Sequence, residues 1–291
     1  MYTEEQIVNE RTRSYALDAL VESLTPLLQA DTPFSEVQLR DVWLKNLRKN
    51  KDLFPDGWYI PPSHGIGALI GSTTKQSRTN YDNLRKFESK NDSIFDAAHP
   101  IIYAYASPVD KQTGIIGDAG LTLYKGTNAA VKKHLKTCFN INKHVAEKVK
   151  VGMTFADIYN LTMDLADQHN LVNDVVSITD PQGANIGHTI PPGFAEWPRD
   201  EQRVVAEGDW KKILDIIRTK RVYVNAFEQT KVKPGTMITI EPRLNNKNDS
   251  NIPQGSFHTT LQVSKNGDVR LLTNFDTLFT LFGMKYMLTS V

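Results

Sequence analysis

Apolar residues recur at helical spacing in the first part of the chain. Thr3 with Gln6 has the pattern of a capping box and predicts the start of a long helix. Its apolar positions are Ile7, Tyr15, Leu17, Leu20, Val21, Leu24 and Leu28. Pro33 interrupts this helix, and a second helix is predicted from Ser35. Short apolar pieces between Gly and Pro at 57–70 then predict strands and turns.

Helical and strand patterns also alternate through the rest of the chain. Two long helices are predicted at 128–149 and from Thr154, and a charged helix is predicted at 204–217. The predicted strands lie at 101–105, 117–124, 237–240, 258–264 and 269–273. Asn266-Gly267 predicts a hairpin turn between the last two strands.

Two short segments, 32–37 and 153–158, resemble each other, and each begins a predicted helix that strands follow. This similarity indicates that a unit of one helix followed by strands is duplicated, and that the two copies surround one core. We therefore predict an α+β fold in a single domain, 1–291, with pseudo-halves at about 1–125 and 126–291.

Composition and charge narrow the class of protein. The 291 residues are 40% hydrophobic and 23% charged, which is typical of a soluble globular protein. The 34 basic and 33 acidic residues give no support to a partner such as nucleic acid or an anionic membrane. Cys138 is the single cysteine, so an internal disulfide and a Cys-rich zinc module are excluded. No secretory leader or apolar run of about 20 residues is visible, and we expect a cytoplasmic protein.

Four polar residues stand in apolar or Gly-flanked surroundings, namely Asp118, His188, Glu241 and His258. A carboxylate that ends an apolar strand is costly to bury unless a cation or hydrogen bonds compensate it. Imidazoles and carboxylates are ligands that zinc, iron and manganese accept. Each residue taken alone also fits an ordinary core or surface position, so the pattern leaves both interpretations open.

The order of the motifs resembles a known family. These motifs are VKVGMTFAD at 149–157, NIGH at 185–188, VKPGTMITIEP at 232–242 and the final hairpin at 258–273. They are similar to those of the pita-bread metallopeptidases, which include methionine aminopeptidases, Xaa-Pro aminopeptidases and creatinase. The resemblance covers essentially the whole chain as the catalytic domain alone. It implies the pita-bread fold, in which pseudo-twofold halves surround a curved antiparallel sheet.

In that family two Asp, one His and two Glu hold two metal ions. The resemblance matches the first Asp, the His and the first Glu to Asp118, His188 and Glu241. Ala129 and Ala130 stand where it implies the second Asp, and His258 stands where it implies the last Glu. Without both bridging carboxylates, the resemblance implies one metal ion on His188, Glu241 and His258. Asp118 is then a nearby base or a more distant fourth ligand.

Further candidates follow from the same resemblance. His64 matches an upstream substrate-facing histidine and is a candidate acid, base or substrate-orienting group. A second family histidine is replaced by Ala195, which argues against an ordinary aminopeptidase. Glu196 and Trp197 follow it and are candidate substrate-binding residues.

These features predict an enzyme that uses one divalent transition metal, either Fe, Mn or Zn. Its substrate would be a short peptide, an amino-acid derivative or another small molecule with an amide C–N bond, and a homodimer is possible. A non-haem Fe(II) oxygenase could use the same two-His-one-carboxylate set. A metal-free, creatinase-like hydrolase would use His64 as its proton carrier and Glu241 to bind substrate. A non-enzymatic binding module with the same fold is the remaining alternative.

Overall fold

The computed structural model describes most of the chain, namely residues 1–73, 79, 84, 86, 88–174 and 180–289. The helices are α1 (Glu4–Gln29), α2 (Glu36–Leu47), α3 (Ala129–Lys148), α4 (Phe155–Gln168), α5 (Arg199–Glu207), α6 (Trp210–Thr219) and α7 (Asp276–Leu281). The strands are β1 (Phe34–Ser35), β2 (Ile66–Gly71), β3 (Ile94–Phe95), β4 (Ile101–Ala106), β5 (Ala119–Tyr124), β6 (Leu171–Asn173), β7 (Met237–Ile240), β8 (Arg243–Asn246), β9 (Gly255–Val263) and β10 (Val269–Leu272).

The predicted helix starts are confirmed, because local capping chemistry sets them. The side chains of Thr3, Ser35 and Thr154 each accept a hydrogen bond from the backbone N–H three residues later, and the side chain at that later position closes a capping box. Each box satisfies two backbone donors that have no partner within the helix.

The single helix predicted at 204–217 is wrong, because two helices occupy this region. Gly208 ends α5 in the left-handed conformation, with a φ of 71°. The side chain of Asp209 then accepts from the backbone N–H of Lys212 and caps α6. Glycine in this conformation is a common helix terminator, and aspartate is a preferred first cap, so the pair separates the helices.

Strand β9 is the centre of a curled antiparallel sheet. The described strands follow the order β2-β4-β5-β9-β8-β6, and β7 and β10 also pair with β9. Strands β7 and β8 pair with β9 in one continuous register, from Met237 opposite Gln262 to Leu244 opposite Gly255. Glu241, between these two strands, is therefore opposite His258.

Two large hydrophobic clusters hold the described elements together, and a third, small one contains Leu69, Leu84, Tyr103 and Tyr105. The largest one includes the buried faces of α1, α2 and α3 and the strands of the sheet. The second one contains Trp58, Trp197 and the buried face of α6. Within the described residues, no helix combines the length and the hydropathy that crossing a membrane requires.

Candidate metal centre

The sheet register brings the four candidate side chains together. Asp118 directly precedes β5, whose Gly120 pairs with His258 on β9. Glu241 is opposite His258, and its backbone N–H donates to the carbonyl of Ile186 at 2.7 Å. That contact holds the segment that carries His188 beside β7. The side chains of Asp118, His188, Glu241 and His258 are each at most 5% exposed.

The two carboxylates lie between the two imidazoles. His188 Nε2 is 3.5 Å from Asp118 Oδ2 and 4.0 Å from Glu241 Oε1. His258 Nδ1 is 2.6 Å from the other carboxylate oxygen of Glu241, Oε2. Asp118, Glu241 and His258 also offer ligand atoms that lie within 4.8 Å of one another. Glu241 therefore faces one histidine with each of its oxygens.

Arg13 from α1 holds the backbone on which two of these side chains stand. Its buried guanidinium donates to the carbonyl oxygens of Asp118, His258 and Thr273. Burial lowers the pKa of Arg13 to about 10, although the negative charge of Asp118 partly opposes this shift. The arginine thus joins β5 to β9 at the point where both carry site residues.

Asn142 from α3 anchors the backbone next to the other side of the site. Its Nδ2 donates to the carbonyls of Ile240 at 3.0 Å and Phe257 at 2.8 Å. These two residues directly precede Glu241 and His258. Because both groups are buried, this amide satisfies carbonyls that water does not reach.

Gly187 allows the segment before His188 to approach β7 closely. Its φ is 147°, and a Cβ at this position would lie 2.1 Å from the carbonyl oxygen of Thr239. His188 then donates its backbone N–H to Thr239 Oγ1 at 2.9 Å. A larger residue at position 187 would therefore push His188 away from Glu241.

The His188 side of Glu241 has ligand atoms that face one another. His188 Nδ1 lies 2.9 Å from the carbonyl of Thr189, which can only accept, so Nδ1 carries the proton. In the neutral ring, Nε2 then offers its lone pair toward Asp118 and Glu241. Among the described residues, Asp118 Oδ1 is buried and has no hydrogen-bond partner.

The His258 side of Glu241 is filled by protein groups. His258 Nε2 is 2.9 Å from the hydroxyl of Tyr103, and Arg243 Nη2 is 3.3 Å from Glu241 Oε2. Burial alone would raise the pKa of Glu241, but the charges of Arg243 and His258 hold that pKa well below its usual value. Burial raises the pKa of Tyr103, which therefore keeps its proton.

The described group whose ligand atoms all lie within 4.8 Å of one another is Asp118, Glu241 and His258, and His188 Nε2 lies near one oxygen of each of the two carboxylates. Ligands that share one ion at about 2.1 Å are separated from one another by about 3 to 4 Å. The separations of 3.5 and 4.0 Å around His188 Nε2 lie in that range. The 2.6 Å between Glu241 and His258 is too short for an ion between them.

The comparisons with known proteins show the family of the chain. The model of metallopeptidase family M24 matches residues 64–271, which is more than half of the chain. The chain belongs to metallopeptidase family M24. No curated protein matches it.

Solved structures with the M24 pita-bread fold are similar to this chain. The prolidase from Pyrococcus horikoshii is 13% identical, with a TM-score of 0.58; the match covers 94% of this chain and 63% of the prolidase. Methionine aminopeptidase from Rickettsia prowazekii is 15% identical, with a TM-score of 0.58; 94% of this chain and 98% of the enzyme are covered. The N-terminal domain of the FACT complex subunit SPT16 from Eremothecium gossypii is 14% identical, with a TM-score of 0.62; 97% of this chain and 60% of that chain are covered. The predicted α+β pita-bread fold is confirmed.

The resemblance placed the second Asp ligand of the family at positions 129 and 130, but the structure does not put these positions near the candidate ligands. Both alanines are exposed at the start of α3, whereas the candidate ligands are buried. The strand that pairs with β5 on its other edge is β4, which precedes Asp118 in the chain. From that strand, the hydroxyl of Tyr103 contacts His258.

The predicted substrate residues do not join the buried cluster. His64 has a side chain that is 45% exposed, and its Nδ1 is 2.7 Å from Asp56 at the surface. Glu196 is exposed. Trp197 is 3% exposed, packs against Phe194 and donates its Nε1–H to a backbone carbonyl, so it belongs to the second core cluster. Packing in the core, rather than contact with the candidate site, therefore explains the position of Trp197.

Sequence reasoning missed three residues of this M24 site, namely Arg13, Tyr103 and Arg243. One signal was available for Arg13, because it lies four residues before Leu17 on the predicted apolar face of the first helix. An arginine on such a face needs acceptors in the interior. Arg243 directly follows the TIEP motif and is therefore two residues from Glu241. A charged side chain so close to Glu241 must either pair with that carboxylate or face solvent.

Proposed function

We propose that this M24 protein is a metal-dependent hydrolase with one divalent transition metal ion, either Fe, Mn or Zn. The ion would be held by Asp118, His188 and Glu241. The reaction would be hydrolysis of a C–N bond in a short peptide, an amino-acid derivative or a small amide. Among similar structures, the prolidase and the methionine aminopeptidase are named as peptidases, which supports this reaction class.

One observation carries the proposal. The protonated Nδ1 of His188 turns the lone pair of Nε2 toward two buried carboxylates, which also have only lone pairs to offer. Three acceptors that face one another repel unless a cation lies among them. A divalent cation bound by His188 Nε2 and the nearby oxygens of Asp118 and Glu241 would remove this repulsion.

The chain's own residues supply the remaining chemistry. A bound divalent metal acts as a Lewis acid and lowers the pKa of a coordinated water. Asp118 Oδ1, without another partner among the described residues, is positioned to accept a proton from water. We assign His258 the role of orienting Glu241 through the 2.6 Å contact, rather than the role of a metal ligand.

Buried aromatic rings surround the histidines of the site. The indole of Trp58 meets the ring of His188 edge-on, with centroids 5.4 Å apart. The ring of Tyr105 lies 5.4 Å from that of His258. These buried aromatic rings exclude water from the carboxylates, which strengthens electrostatic interactions within the site.

The other functions make different demands on the same residues. An Fe(II) oxygenase of the two-His-one-carboxylate type needs both imidazoles on one ion, yet His188 and His258 face different oxygens of Glu241. A binding module needs no metal, and the similarity to the SPT16 domain is the observation that favours it.

The test begins with protein purified without added metal or chelator. We expect elemental analysis to find one equivalent of Fe, Mn or Zn. A panel of dipeptides and small amides should then be hydrolysed, with loss of activity after chelation and recovery with one equivalent of metal.

Three results would contradict the proposal. Hydrolysis that survives complete metal removal would support a creatinase-like reaction. Oxygen consumption by an iron-loaded protein would support the oxygenase. A protein without metal and without turnover would support the binding module.

A further inference from the structure

Arg221 lies in a cavity that adjoins the candidate metal centre. The cavity has a volume of about 690 Å³, and Arg221, Tyr223 and Phe227 are among its lining residues. Tyr223 forms a β-bridge with His188, and the rings of the two residues meet edge-on with centroids 6.4 Å apart. One wall of the cavity is therefore in contact with a proposed ligand of the metal ion.

Aromatic rings hold the guanidinium of Arg221 in place. Its central carbon lies 4.8 Å from the ring centroid of Trp58, 5.1 Å from that of Tyr223 and 6.0 Å from that of Tyr59. Aromatic faces attract a guanidinium without using its N–H groups, which point outward in the plane of the group. Trp58 is fully buried, so the guanidinium lies against a side chain that packing fixes.

The charge of Arg221 is not neutralised within the described part of the chain. Its Nε–H donates to the carbonyl of Arg218 at 3.2 Å, and no carboxylate of the described residues forms an ion pair with it. The two carboxylates that line the cavity have other partners, because Asp180 accepts from two asparagine amides and Glu228 accepts from Thr230. The terminal amino groups of Arg221 can therefore donate to an anion that enters the cavity.

The position of this charge fits one end of a short peptide. The guanidinium carbon is 4.8 Å from the ring centroid of Trp58, which is 5.4 Å from that of His188, so Arg221 lies no more than about 10 Å from the imidazole. An extended peptide spans about 3.3–3.6 Å per residue. Two or three residues therefore reach from a scissile bond at the proposed metal ion to Arg221. The negative group that every unblocked peptide has at that end is its C-terminal carboxylate.

We propose that Arg221 binds the free C-terminal carboxylate of a dipeptide or tripeptide and so restricts the substrates of this protein. This inference rests on the proposed function, because it takes the ligand of Arg221 to be the substrate. A guanidinium pairs with a carboxylate through two parallel N–H···O hydrogen bonds. Phe227, which is 67% exposed, lines the same cavity and offers an apolar contact to the side chain beside that carboxylate.

The experiment measures binding and does not depend on turnover. One ligand is glycyl-leucine with its amide reduced to a secondary amine, which cannot be hydrolysed, and the other is the C-terminal carboxamide of the same compound. Isothermal titration calorimetry gives Kd of both for wild type as purified and for R221Q, R221K and R218Q. R218Q is the matched control, because Arg218 lines the same cavity but pairs with Asp215 and donates to the carbonyl of Ile60.

We expect wild type and R218Q to bind the carboxylate ligand about 10- to 100-fold more tightly than the carboxamide, which lacks the charge. R221Q should bind both ligands alike, and R221K, which keeps the charge but not the paired geometry, should keep a smaller preference. An R221Q protein with the wild-type preference would overturn the inference. So would wild type that does not distinguish the two ligands, a result that can be read even if R221Q does not fold.

Hydrolysis assays separate this inference from the proposed function. Metal-dependent hydrolysis of glycyl-leucine and of glycyl-leucinamide with equal kcat/KM would overturn the role of Arg221 and leave the proposed function intact. Selective binding of the carboxylate ligand by a protein without metal and without turnover would contradict the proposed function, but it would support Arg221 as a carboxylate-binding residue.

Discussion

The two carboxylate oxygens of Glu241 each face a histidine, but the distances and the neighbouring groups differ between the two sides. Each side presents a histidine to one carboxylate oxygen, at 4.0 Å for His188 and at 2.6 Å for His258. On the first side, Asp118 Oδ2 also lies 3.5 Å from His188 Nε2. On the second side Arg243 and the hydroxyl of Tyr103 complete a network of protein contacts.

This difference shows how one carboxylate can serve two purposes in a buried site. The His258 side supplies positive charge from the protein, and this holds the pKa of Glu241 low and keeps the carboxylate ionised. Among the causes that lower the pKa of Glu241, the charge of His188 contributes least. On the proposed function, the protein's own cations, as well as the number of ligands, would then influence where a metal binds.

Removing the two histidines one at a time is the strongest test of whether the two sides of Glu241 differ. We expect His188→Ala to weaken metal binding by at least about 1000-fold, because a direct ligand is lost. His258→Ala removes a group that orients Glu241, and such changes weaken metal binding by about 10- to 100-fold. Competition with a fluorescent chelator measures both affinities.

The matched control is His99→Ala, since His99 pairs with Asp96 at the surface. Its metal affinity should equal that of wild type. Equal losses in the two site variants would show that the two sides of Glu241 are not distinct, and a larger loss in His258→Ala would reverse their assignment.

Arg13 supports both sides, so its removal should lower the stability of the whole site. Arg13→Met keeps most of the side-chain volume but leaves three carbonyls without their donor, including those of Asp118 and His258. Each unsatisfied buried group costs about 1–3 kcal/mol, so we expect the free energy of unfolding to fall by about 3 kcal/mol or more. Urea denaturation followed by circular dichroism measures this change.

Arg11→Met is the control on the same helix, because Arg11 is 44% exposed and pairs with Asp110. Its partner Asp110 is buried but also accepts hydrogen bonds from the backbone N–H and the hydroxyl of Thr113, so we expect Arg11→Met to be less destabilising than Arg13→Met. If Arg13→Met were no more destabilising than Arg11→Met, the backbone contacts of Arg13 would not be what holds β5 to β9.

Local chemistry made the helices predictable, whereas the meeting of the site residues depends on long-range pairing. A capping box such as Ser35 with Gln38 is complete within four residues and can be identified in the sequence. The register that sets Glu241 opposite His258 depends on β7 and β8 pairing with β9. Strand β8 itself was missed, because Pro242 precedes it and its residues, Arg243–Asn246, show no clear alternation.

The family resemblance selected four residues whose side chains the structure brings together, but it did not divide them into two sides. That division depends on Arg243 and Tyr103, which are not ligands and lie outside the matched ligand set. It also depends on the tautomer of His188, which the carbonyl of Thr189 fixes. Such contacts arise from packing between segments that are far apart in the chain, and no spacing in the sequence encodes them.

Tyr103→Phe tests the protein contacts of the His258 side with the smallest change. It removes the hydroxyl that lies 2.9 Å from His258 Nε2, and we expect a loss of about 1 kcal/mol of stability at neutral pH. Burial raises the pKa of Tyr103 in the folded protein, so folding favours the neutral phenol. The stability of wild type relative to the variant is therefore complete below the pKa of an unfolded tyrosine, about 10, and is lost as the pH rises above it.

Urea denaturation of both proteins between pH 7 and pH 11 gives the difference curve, and Tyr15→Phe is the control because its hydroxyl is at the surface. The difference for Tyr103→Phe should shrink above about pH 10, whereas that for Tyr15→Phe should stay near zero throughout. A flat difference for Tyr103→Phe would mean that its hydroxyl reaches water. The contact between Tyr103 and His258 would then not be closed to water, and it could not be what distinguishes the His258 side of Glu241 from the His188 side.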